Sequence, residues 1–410
     1  MQPTTGRGWV DRLTIACATI YGLDRLWKLA AVVHFFRKPP PPDPPGPWPG
    51  ITLLQPITHG ASDLAGALAC RSRQDYAGPI EHLLICDQAD AATQAVCLAW
   101  IAEHPELVAR IVPVTVPGAP IASKVEKLQA ALPEAHGDIL CFVDDDVLLR
   151  SGALQQLARY LTPSQSGAVF GLACYTNWSN TGSSLLSAFV NANALLSYIP
   201  LTYLTEPYTI TGHLFALRRE VFAAAGGLTG MEDGRIDDDH ELARRVRQQG
   251  RLCVQTPVVY DVDNQLPAVA DYMNQMQRWF IIPRQAMLPF LTRREQAVSL
   301  AGAAGNLLLP ALAMIALLAR RRTPGRAFGG ALAAFAASYW IGERGYLQRW
   351  TPATRWPLVI ASALIAPLQA LAALGGGNEF DWRGQRLRLQ RGGWSERLAA
   401  KDAATGKRTP

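Results

Sequence analysis

Asp138-Ile-Leu-Cys-Phe-Val-Asp-Asp-Asp-Val-Leu-Leu149 is the most informative stretch of this 410-residue chain. Its first part, from Ile139 to Val143, is an uninterrupted apolar run, which predicts a buried central strand. Three carboxylates follow directly, at Asp144, Asp145 and Asp146. Open α/β sheets bind their ligands at the carboxyl ends of the strands, so this segment predicts a functional site at the end of this strand.

Asp144 and Asp146 form an Asp-x-Asp pair within this acidic run. Hard oxygen ligands this close together repel each other unless a cation lies between them, and Mg²⁺ or Mn²⁺ that bridges substrate phosphates is the usual cation. The pair therefore predicts a divalent metal site. An acidic turn that caps the following helix near Ser151 is the alternative, because short acidic motifs occur often by chance.

Strand-like runs alternate with helical patterns on both sides of this motif. The predicted strands span residues 51–55, 80–86, 111–116, 139–143 and 168–174. The predicted helices lie near residues 61–72, 91–104, 124–132 and 154–161. This alternation predicts an α/β domain in which a parallel sheet is covered on both faces. No dinucleotide-binding glycine motif and no P-loop follows a strand, so a bound nucleotide would depend on carboxylates and a metal.

Two further polar residues lie at predicted element ends. Asp87 follows the strand that ends at Cys86 and therefore falls at the same edge of the sheet. Lys124 begins a predicted helix after the loop 117–120, and its ammonium group could reach a phosphate. A lysine at a helix start is more often simply solvated, which is the alternative for Lys124.

A second acidic run, Asp237-Asp-Asp239, begins the predicted helix that ends at Gly250. Helix capping and the helix dipole favour carboxylates at this position, which is the structural alternative. Three consecutive carboxylates exceed what a cap needs, and a carboxylate that faces a cleft can accept a proton from an attacking hydroxyl. We therefore predict Asp239 as the general base, with Asp238 as the second choice.

The segment Gln275-Met-Gln-Arg-Trp279 places three functional side chains within one helical turn. Gln275 and Arg278 share one face because they are three residues apart. The forked donors of arginine suit a diphosphate, and Trp279 offers a flat surface to a sugar ring. The segment predicts contacts with a nucleotide sugar, whereas an Arg/Trp anchor at a membrane interface is the alternative.

The composition indicates a membrane protein. Hydrophobic residues make up 49% of the chain and charged residues only 18%, below the roughly 25% of soluble domains. The basic residues behind the net charge of +6 cluster beside apolar runs, which favours membrane flanks over a nucleic-acid face. Zinc-finger spacing and a basic stripe are absent from the sequence, so no nucleic-acid partner is expected. The seven scattered cysteines indicate a reduced, cytosol-facing domain.

The N-terminal apolar stretch, residues 13–36, is long enough to cross a bilayer. Asp24, Arg25 and Lys28 interrupt it on one helical face. We predict a membrane anchor in which these charges face other helices or the headgroups, with an interfacial amphipathic helix as the alternative. Eight prolines between Pro39 and Pro49 then predict a stiff spacer before the next domain.

Two C-terminal stretches, residues 297–319 and 357–374, can also span a bilayer, while 327–341 is short and rich in Ala and Gly. Three crossings there would place the basic tail opposite the catalytic domain, against the positive-inside tendency. We therefore expect 297–319, which contains Asn306 and Pro310, to form a re-entrant hairpin and the tail to be cytosolic. Residues 281–291 predict an interfacial helix that leads a lipid headgroup towards the site.

The order of these elements resembles that of the processive and lipid-acting members of glycosyltransferase family 2. More narrowly, the chain resembles the ceramide glucosyltransferase family, which forms glycosyltransferase family 21. Three segments carry this narrower resemblance: Leu53-Leu-Gln-Pro-Ile-Thr-His-Gly60, Ile236-Asp-Asp-Asp-His-Glu-Leu-Ala243 and Asp381-Trp-Arg-Gly-Gln-Arg-Leu-Arg-Leu-Gln-Arg-Gly-Gly393.

The resemblance implies an α/β fold of the GT-A (Rossmann-like) nucleotide-sugar type with N-terminal and C-terminal transmembrane or interfacial helices. The implied parts are a membrane helix (1–38), a Pro-rich linker (39–49), a cytosolic GT-A domain (50–280), interfacial and transmembrane helices (281–376) and a basic cytosolic tail (377–410). The protein would be an integral, multi-pass protein of a bacterial inner membrane, with its catalytic domain facing the cytosol.

The resemblance also implies inverting transfer of a sugar, glucose from UDP-glucose, to the hydroxyl of a lipid acceptor, ceramide. Mg²⁺ or Mn²⁺ would be the cofactor, held by Asp144 and Asp146, and the catalytic residues would be Asp239 and Asp238. The implied nucleotide-sugar-binding residues are Asp87, Lys124, Asp144, Asp145, Gln275, Arg278 and Trp279.

Four departures from the family pattern leave the sugar and the lipid open, and one of them is the absence of His between Cys174 and His213, where animal relatives carry one. Gln88 stands where the family carries Asp, Lys127 where it carries Asn, and His240 where it carries Tyr. The alternatives are a hopanoid or diacylglycerol acceptor with UDP-GlcNAc or another UDP-sugar, or a processive polysaccharide synthase. A membrane-anchored binding protein with a decayed transferase domain is the non-enzyme alternative.

Overall fold

The computed structural model describes residues 5–61, 64–116, 121–231, 234–382 and 385–398. The predicted loop 117–120 and the end of the basic tail, 399–410, lie outside these residues. The α-helices in the described residues are α1 (Thr5–Arg37), α2 (Leu64–Arg71), α3 (Ala91–Glu103), α4 (Lys124–Ala131), α5 (Ala153–Leu161), α6 (Thr181–Asn193), α7 (Ile199–Leu201), α8 (Arg219–Ala224), α9 (Asp238–Gln248), α10 (Val269–Ile282), α11 (Arg293–Ala319), α12 (Arg322–Gly342) and α13 (Trp356–Gly375).

The strands in the same residues are β1 (Ile51–Pro56), β2 (Ile80–Asp87), β3 (Val108–Val114), β4 (Ile139–Val143), β5 (Val147–Leu148), β6 (Ser166–Tyr175), β7 (Leu214–Arg218), β8 (Leu252–Val262), β9 (Glu379–Trp382), β10 (Gln385–Leu389) and β11 (Ser395–Arg397). Short π-helical turns extend α6, α10 and α12, at Ala194–Tyr198, Pro283–Met287 and Glu343–Leu347. Turns of 3₁₀-helix lie at Leu132–Glu134, Leu288–Phe290 and Ala353–Arg355.

Eight strands form one sheet in the order β3-β2-β1-β4-β7-β6-β8-β5. The first four are parallel, as the alternation of strands and helices predicts. The prediction of an all-parallel sheet is wrong for the other half, because β7 runs antiparallel to both β4 and β6. The segment before β7 lies beside the end of β4, because the Asp144 N–H donates to the carbonyl of His213 at 2.9 Å. Strand β7 therefore has to run away from that end.

Apolar side chains cover both faces of the sheet, as predicted. All residues of β4, from Ile139 to Val143, are buried. On one face α5 and α10 contribute Leu157 and Met276 to the core. On the other face α4 and α9 contribute Leu128 and Leu242. Burial on both faces is the reason that this strand lacks the alternation of a half-exposed strand.

Helices α1, α11, α12 and α13 pack together and share a core with α6. The expected re-entrant hairpin at 297–319 is wrong, because α11 runs without interruption from Arg293 to Ala319 with Pro310 inside it. Leu309 and Leu312 are buried against the neighbouring helices on either side of the proline. Packing by neighbouring helices is what allows a proline to persist inside an apolar helix.

The charged residues of α1 are paired within the helical layer. Arg25 is 3% exposed and lies 2.5 Å from the Asp24 carboxylate. Lys28 pairs with the same carboxylate at 3.1 Å. The Arg25 guanidinium also donates to the side-chain oxygen of Asn306, on α11, at 3.1 Å. These charges therefore face another helix, which is one of the two orientations that the membrane-anchor interpretation allows.

Three helical segments are long and apolar enough to cross a membrane: Thr181–Leu201, Arg293–Ala319 and Ala353–Gly375. The last two include the predicted spans at 297–319 and 357–374. The first is 67% buried inside the protein, because it packs against both the large sheet and the layer of α1, α11, α12 and α13. The other two are each 17% buried, and apolar helices that expose so much surface indicate membrane association.

A small antiparallel sheet, β9-β10-β11, closes the described chain. Its buried side chains Phe380, Leu387 and Leu389 pack against Ile281, near the end of α10, and against Ile236, just before α9. The small sheet therefore lies on the catalytic domain, and it contacts the two elements that carry the predicted base and the predicted arginine.

Candidate active site

The candidate site lies where several elements meet at one edge of the large sheet. Strand β4 ends just before Asp144, and α4 begins with Lys124 beside it. His213 precedes β7 at the same edge, and α9 begins with Asp238 and Asp239. Residues that are far apart in the sequence are therefore brought together, and the geometry places the predicted site at the strand ends.

Lys124 connects the Asp-x-Asp side of this crevice with the side of the predicted base. Its Nζ atom lies 2.6 Å from Oδ1 of Asp144 and donates to the carbonyl of Gly212 at 3.0 Å. Burial opposes the charge of Lys124, but the carboxylates of Asp144, Asp238 and Asp239 outweigh it and raise the pKa of the lysine. Lys124 is therefore a fixed positive charge within the acidic crevice.

Asp145 and Asp146 have different surroundings although they are adjacent. Asp145 accepts the backbone N–H of Thr58 at 2.6 Å, which ties the loop after β1 to the site. Asp146 has a buried carboxylate oxygen without a hydrogen-bond partner among the described residues. Burial, and then repulsion from Asp144 and Asp145, raise the pKa of Asp146 to about 7. The charge of Lys124 acts in the opposite direction but does not outweigh these two effects.

The donors at this position suit Mg²⁺ or Mn²⁺. Asp146 offers an unpartnered oxygen, and Asp144 is close enough to repel it electrostatically. Such hard oxygen ligands are the type that these cations prefer, and a bound diphosphate completes the coordination in many phosphate-binding sites. No cluster of three or more His, Cys, Asp or Glu side chains forms a complete metal site in the described part of the chain. The two aspartates therefore fit a cation that binds together with a substrate.

Asp239 lies deep in the crevice near the start of α9. Burial, and then repulsion from Asp238, raise its pKa to about 7, against opposing effects of Lys124 and of the His240 N–H. Gly212 lies directly against it, since a Cβ on that glycine would come within 2.9 Å of the Asp239 carboxylate. A carboxylate with a pKa near neutrality is suited to accept a proton at physiological pH.

Asp237 occupies the N-cap position of α9 but makes no capping hydrogen bond. It is 1% exposed and pairs with Arg235 at 3.0 Å, and Arg235 also pairs with Glu241 at 3.0 Å. Burial raises the pKa of Asp237 to about 7, although Arg235 opposes this. The acidic run is thus divided, with Asp237 inside the protein and Asp238 and Asp239 towards the crevice.

Asp87 follows β2 as predicted, but it is buried. One of its carboxylate oxygens accepts the Ala122 N–H at 2.8 Å, and the other lies 2.8 Å from Nζ of Lys127. Lys127 also donates to the carbonyl of Ile57 at 2.7 Å. This buried ion pair holds together the loops that border the crevice, and direct contact of Asp87 with a nucleotide stays a prediction. It also gives a structural role to Lys127, where the family carries Asn.

Gln275 and Arg278 share one face of α10, and the guanidinium of Arg278 donates to the side chain of Gln275 at 3.1 Å. The charge of Arg278 acts on Tyr175, whose hydroxyl lies beside the crevice. Trp279 is partly buried and faces Phe189, with ring centroids 6.2 Å apart. The structure thus brings Arg278 towards the acidic residues, while contact of Trp279 with an acceptor stays a prediction.

The sequence motifs did not identify three residues at the site: Tyr175, Tyr198 and His213. The Tyr175 hydroxyl lies 3.1 Å from Nε2 of His213, and burial lowers the pKa of this histidine. Tyr198 ends the π-helical turn after α6, is 48% exposed, and is close enough to Asp239 for their charges to interact. The apolar run from Leu214 to Leu217, which directly follows His213, was an available signal for a strand there, whereas a π-helical turn has no such signal in one sequence.

The curled mixed sheet with a crevice at its strand ends has the GT-A fold. The mannosyltransferase PcManGT from Pyrobaculum calidifontis, solved in complex with GDP-Man and Mn²⁺, is similar with a TM-score of 0.50 and 18% sequence identity. The similarity covers 88% of this chain and 99% of that one. S. aureus TarS 1–349 is 14% identical, with a TM-score of 0.37 over 86% of this chain and 100% of that one. At 18% identity the similarity to PcManGT concerns the fold alone, and nothing is concluded from the lower score of TarS.

The sequence matches glycosyl transferase family 21 over residues 11–395, so the chain belongs to this family. This confirms the resemblance on which the sequence analysis depends. No curated protein sequence matches the chain significantly.

Proposed function

We propose that this protein is a membrane-bound, inverting glycosyltransferase that transfers the sugar of a UDP-sugar, with UDP-glucose as the first candidate, to a lipid hydroxyl, with ceramide as the first candidate. The observation that supports the proposal best is the bridge made by Lys124. Lys124 contacts Asp144 at 2.6 Å and lies within the electrostatic reach of Asp239. The Asp-x-Asp pair and the predicted base therefore share one crevice.

In this proposal Asp239 accepts the proton of the lipid hydroxyl as its oxygen attacks the anomeric carbon. Attack from the face opposite the leaving diphosphate inverts the configuration at that carbon. Arg278 and Lys124 stabilise the negative charge that develops on the diphosphate, which is electrostatic stabilisation of the transition state. Burial, and then repulsion from the adjacent Asp238, keep the pKa of Asp239 high enough for it to receive the proton.

Asp144 and Asp146 would hold Mg²⁺ or Mn²⁺ together with the diphosphate. The cation, when bound, supplies positive charge that neutralises the leaving group. The unpartnered oxygen of Asp146 and the repulsion between the two carboxylates support this assignment.

We propose a topology in which α1, α11 and α12 cross the membrane, although α1 and α12 are less apolar than the candidate spans α11 and α13. At one end of this layer, Asp11 of α1 pairs with Arg321, between α11 and α12, at 3.0 Å. At the other end, the chain contacts the catalytic domain three times: through His34 to Tyr203 at 2.7 Å, through Ser299 to Tyr208 at 3.0 Å, and through Arg349 to Asp261 at 3.2 Å. Each of the three helices therefore has one end at the catalytic domain and one end away from it.

Helix α13, although it is very apolar, lies along the membrane surface in this proposal. At its start, Arg355 donates to the carbonyl of Ser179 at 2.7 Å. Past its other end, the carbonyl of Gly376 accepts a hydrogen bond from Arg284 at 2.8 Å. Because both ends contact the catalytic domain, α13 would leave the tail on the same side as that domain. Its exposed apolar side chains would enter the bilayer and border the route of the lipid acceptor.

The decisive experiment uses the full-length protein purified in detergent and reconstituted into vesicles. UDP-glucose, UDP-galactose, UDP-GlcNAc and GDP-mannose are each combined with ceramide, diacylglycerol and a hopanoid, and the lipid products are identified by mass spectrometry. We expect a glycosylated lipid with one donor and one acceptor class, with UDP-glucose and ceramide as the first pair. The anomeric configuration of the product, measured by NMR, should be inverted relative to the donor.

Two outcomes would contradict the proposal. A soluble polymer formed from the donor would assign the protein to the polysaccharide synthases. The absence of any transfer from a protein that binds UDP and a divalent cation would favour the binding-protein alternative.

A further inference from the structure

We propose that the C-terminal sheet β9-β10-β11 positions the catalytic base, and that Gly393 and Trp394 are the positioning residues. This inference goes beyond the proposed function. It also depends on that function, because the proposed function makes Asp239 the base. The sheet belongs to the tail, which is distant in sequence from both α9 and α10. In the structure the small sheet contacts the start of α9 and the end of α10.

The turn before β11 lies on the segment that leads into α9. The carbonyl of Gly393 accepts the Ile236 N–H at 3.3 Å, and the Ser395 N–H donates to the carbonyl of Gly234 at 2.9 Å. Gly393 has a φ of +92° and is so close to Asp237 that an added Cβ would overlap the carboxylate. Only glycine fits this contact, because the backbone conformation and the available space both exclude a side chain.

Trp394 covers Arg235, which pairs with Asp237 beneath this turn. Its ring lies 5.3 Å from the guanidinium carbon of Arg235, and the two residues also pair as an isolated β-bridge. Arg235 in turn holds the buried carboxylates of Asp237 and Glu241, both on or next to the first turn of α9. The tryptophan therefore restrains the arginine that fixes the start of the helix.

The same sheet is also fixed to α10 and to the turn that follows it. The Gly392 N–H donates to the carbonyl of Gln285 at 3.0 Å, and the side chain of Gln277 donates to the carbonyl of Glu379 at 2.9 Å. Leu389 is fully buried in the cluster that contains Ile281. The sheet therefore connects the element that carries Arg278 with the element that carries Asp239.

This connection matters because Asp237 directly precedes the two carboxylates that face the crevice. Any displacement of Asp237 turns the start of α9 and moves Asp239 relative to Gly212 and Lys124. Proton transfer requires the base within hydrogen-bond distance of the acceptor hydroxyl, so a shift on the order of 1 Å has a large effect on the rate. Donor binding does not require that distance, because Asp144, Asp146 and Arg278 lie on other elements.

The test compares Gly393→Ala, Trp394→Ala and Trp394→Phe with the wild-type protein, once the wild type has been shown to glycosylate a lipid. Gly393→Ala and Trp394→Ala should lower kcat about 10- to 100-fold. The KM for the donor and the Kd for UDP should stay within about twofold. Trp394→Phe keeps an aromatic ring over Arg235 and should restore most of the kcat.

Gly250→Ala is the matched control for backbone strain. Gly250 lies just past the other end of α9, has a φ of +70° and has open space around its Cα, so its substitution introduces strain without the contact to Asp237. The kcat of Gly250→Ala should equal that of the wild type. Unchanged kcat in Gly393→Ala, or a loss of kcat and of UDP affinity together, would overturn the inference. If the wild type transfers no sugar to lipid, the proposed function itself fails, which is a different result.

Discussion

Asp239 and Asp146 both have a pKa raised to about 7, and burial is the main cause for each. Their environments nevertheless suit different roles. A cation next to Asp146 would offset the burial and the repulsion that raise the pKa of that residue, so Asp146 would be ionised in the loaded site. Asp239 is next to Asp238, which is not a predicted ligand, so its pKa stays near neutrality and it can accept a proton.

The role of Asp239 gives a prediction for the pH dependence of transfer. A base acts only when it is deprotonated, so kcat/KM at saturating metal should rise with pH through a midpoint near 7 and then level off. Asp239→Asn should lower kcat about 10²- to 10⁴-fold and abolish this rise. Initial rates of lipid glycosylation between pH 5 and 9 measure both effects.

Asp75→Asn serves as the control for this substitution, since Asp75 is exposed. It should keep the wild-type rate and the wild-type pH profile. Transfer at the wild-type rate by Asp239→Asn would show that another group is the base.

The orphaned oxygen of Asp146 gives a second prediction at this scale. Chelation of divalent cations should stop transfer, and added Mn²⁺ or Mg²⁺ should restore it. Asp146→Asn should weaken Mn²⁺ binding about 10- to 100-fold in the presence of UDP, because it removes a charged ligand. Electron paramagnetic resonance of bound Mn²⁺ measures this without reference to activity. Equal Mn²⁺ affinity in the variant would exclude Asp146 from the metal site.

Among the elements, α1 and α11 show how charged residues persist in an apolar layer. The three charges of α1 look unfavourable for a membrane segment when they are considered alone. In the structure Asp24 pairs with both Arg25 and Lys28, and Asn306 on α11 accepts a hydrogen bond from Arg25. A charged group in a low-dielectric region requires such partners.

We therefore expect Asn306→Leu to destabilise the protein. The substitution removes a hydrogen bond to a buried charged group, which is worth about 1.5–3 kcal/mol. Thermal unfolding in detergent should show a lower Tm, while donor binding to the folded protein should be unchanged. Met314→Leu is the control, because Met314 is an exposed side chain on the same helix. An equal Tm for Asn306→Leu and Met314→Leu would contradict the role of Asn306.

For the whole molecule, the position of the tail decides the proposed topology. The small C-terminal sheet packs on the catalytic domain, so the tail and that domain have to be on the same side of the membrane. With α13 on the surface, three crossings satisfy this condition. They leave Arg320 to Arg322 on the far side, against the positive-inside tendency, while Arg37, Lys38 and Arg349 on the catalytic side follow it.

Reporter fusions test this topology directly. Alkaline phosphatase fused after Arg322 should be active, because that position would face the periplasm. The same enzyme fused after Gln348 should be inactive, and green fluorescent protein fused at the C-terminus should fluoresce. Active phosphatase after Gln348 would contradict the crossing of α12, and a dark C-terminal fusion would contradict the surface position of α13.

Short-range pattern was enough to predict several of the elements that carry the candidate site. The apolar run before Asp144 predicted β4, and the spacing of Gln275 and Arg278 predicted their shared face, because periodicity is a local property of the chain. Pattern could not show that β7 returns antiparallel and brings Gly212 and His213 to Asp144. Nor could it show that Asp87 is buried against Lys127, that α11 is unbroken, or that Gly393 lies on Asp237. These features depend on contacts between segments that are distant in sequence, and only the packing of the folded chain selects among the pairings that local propensity permits.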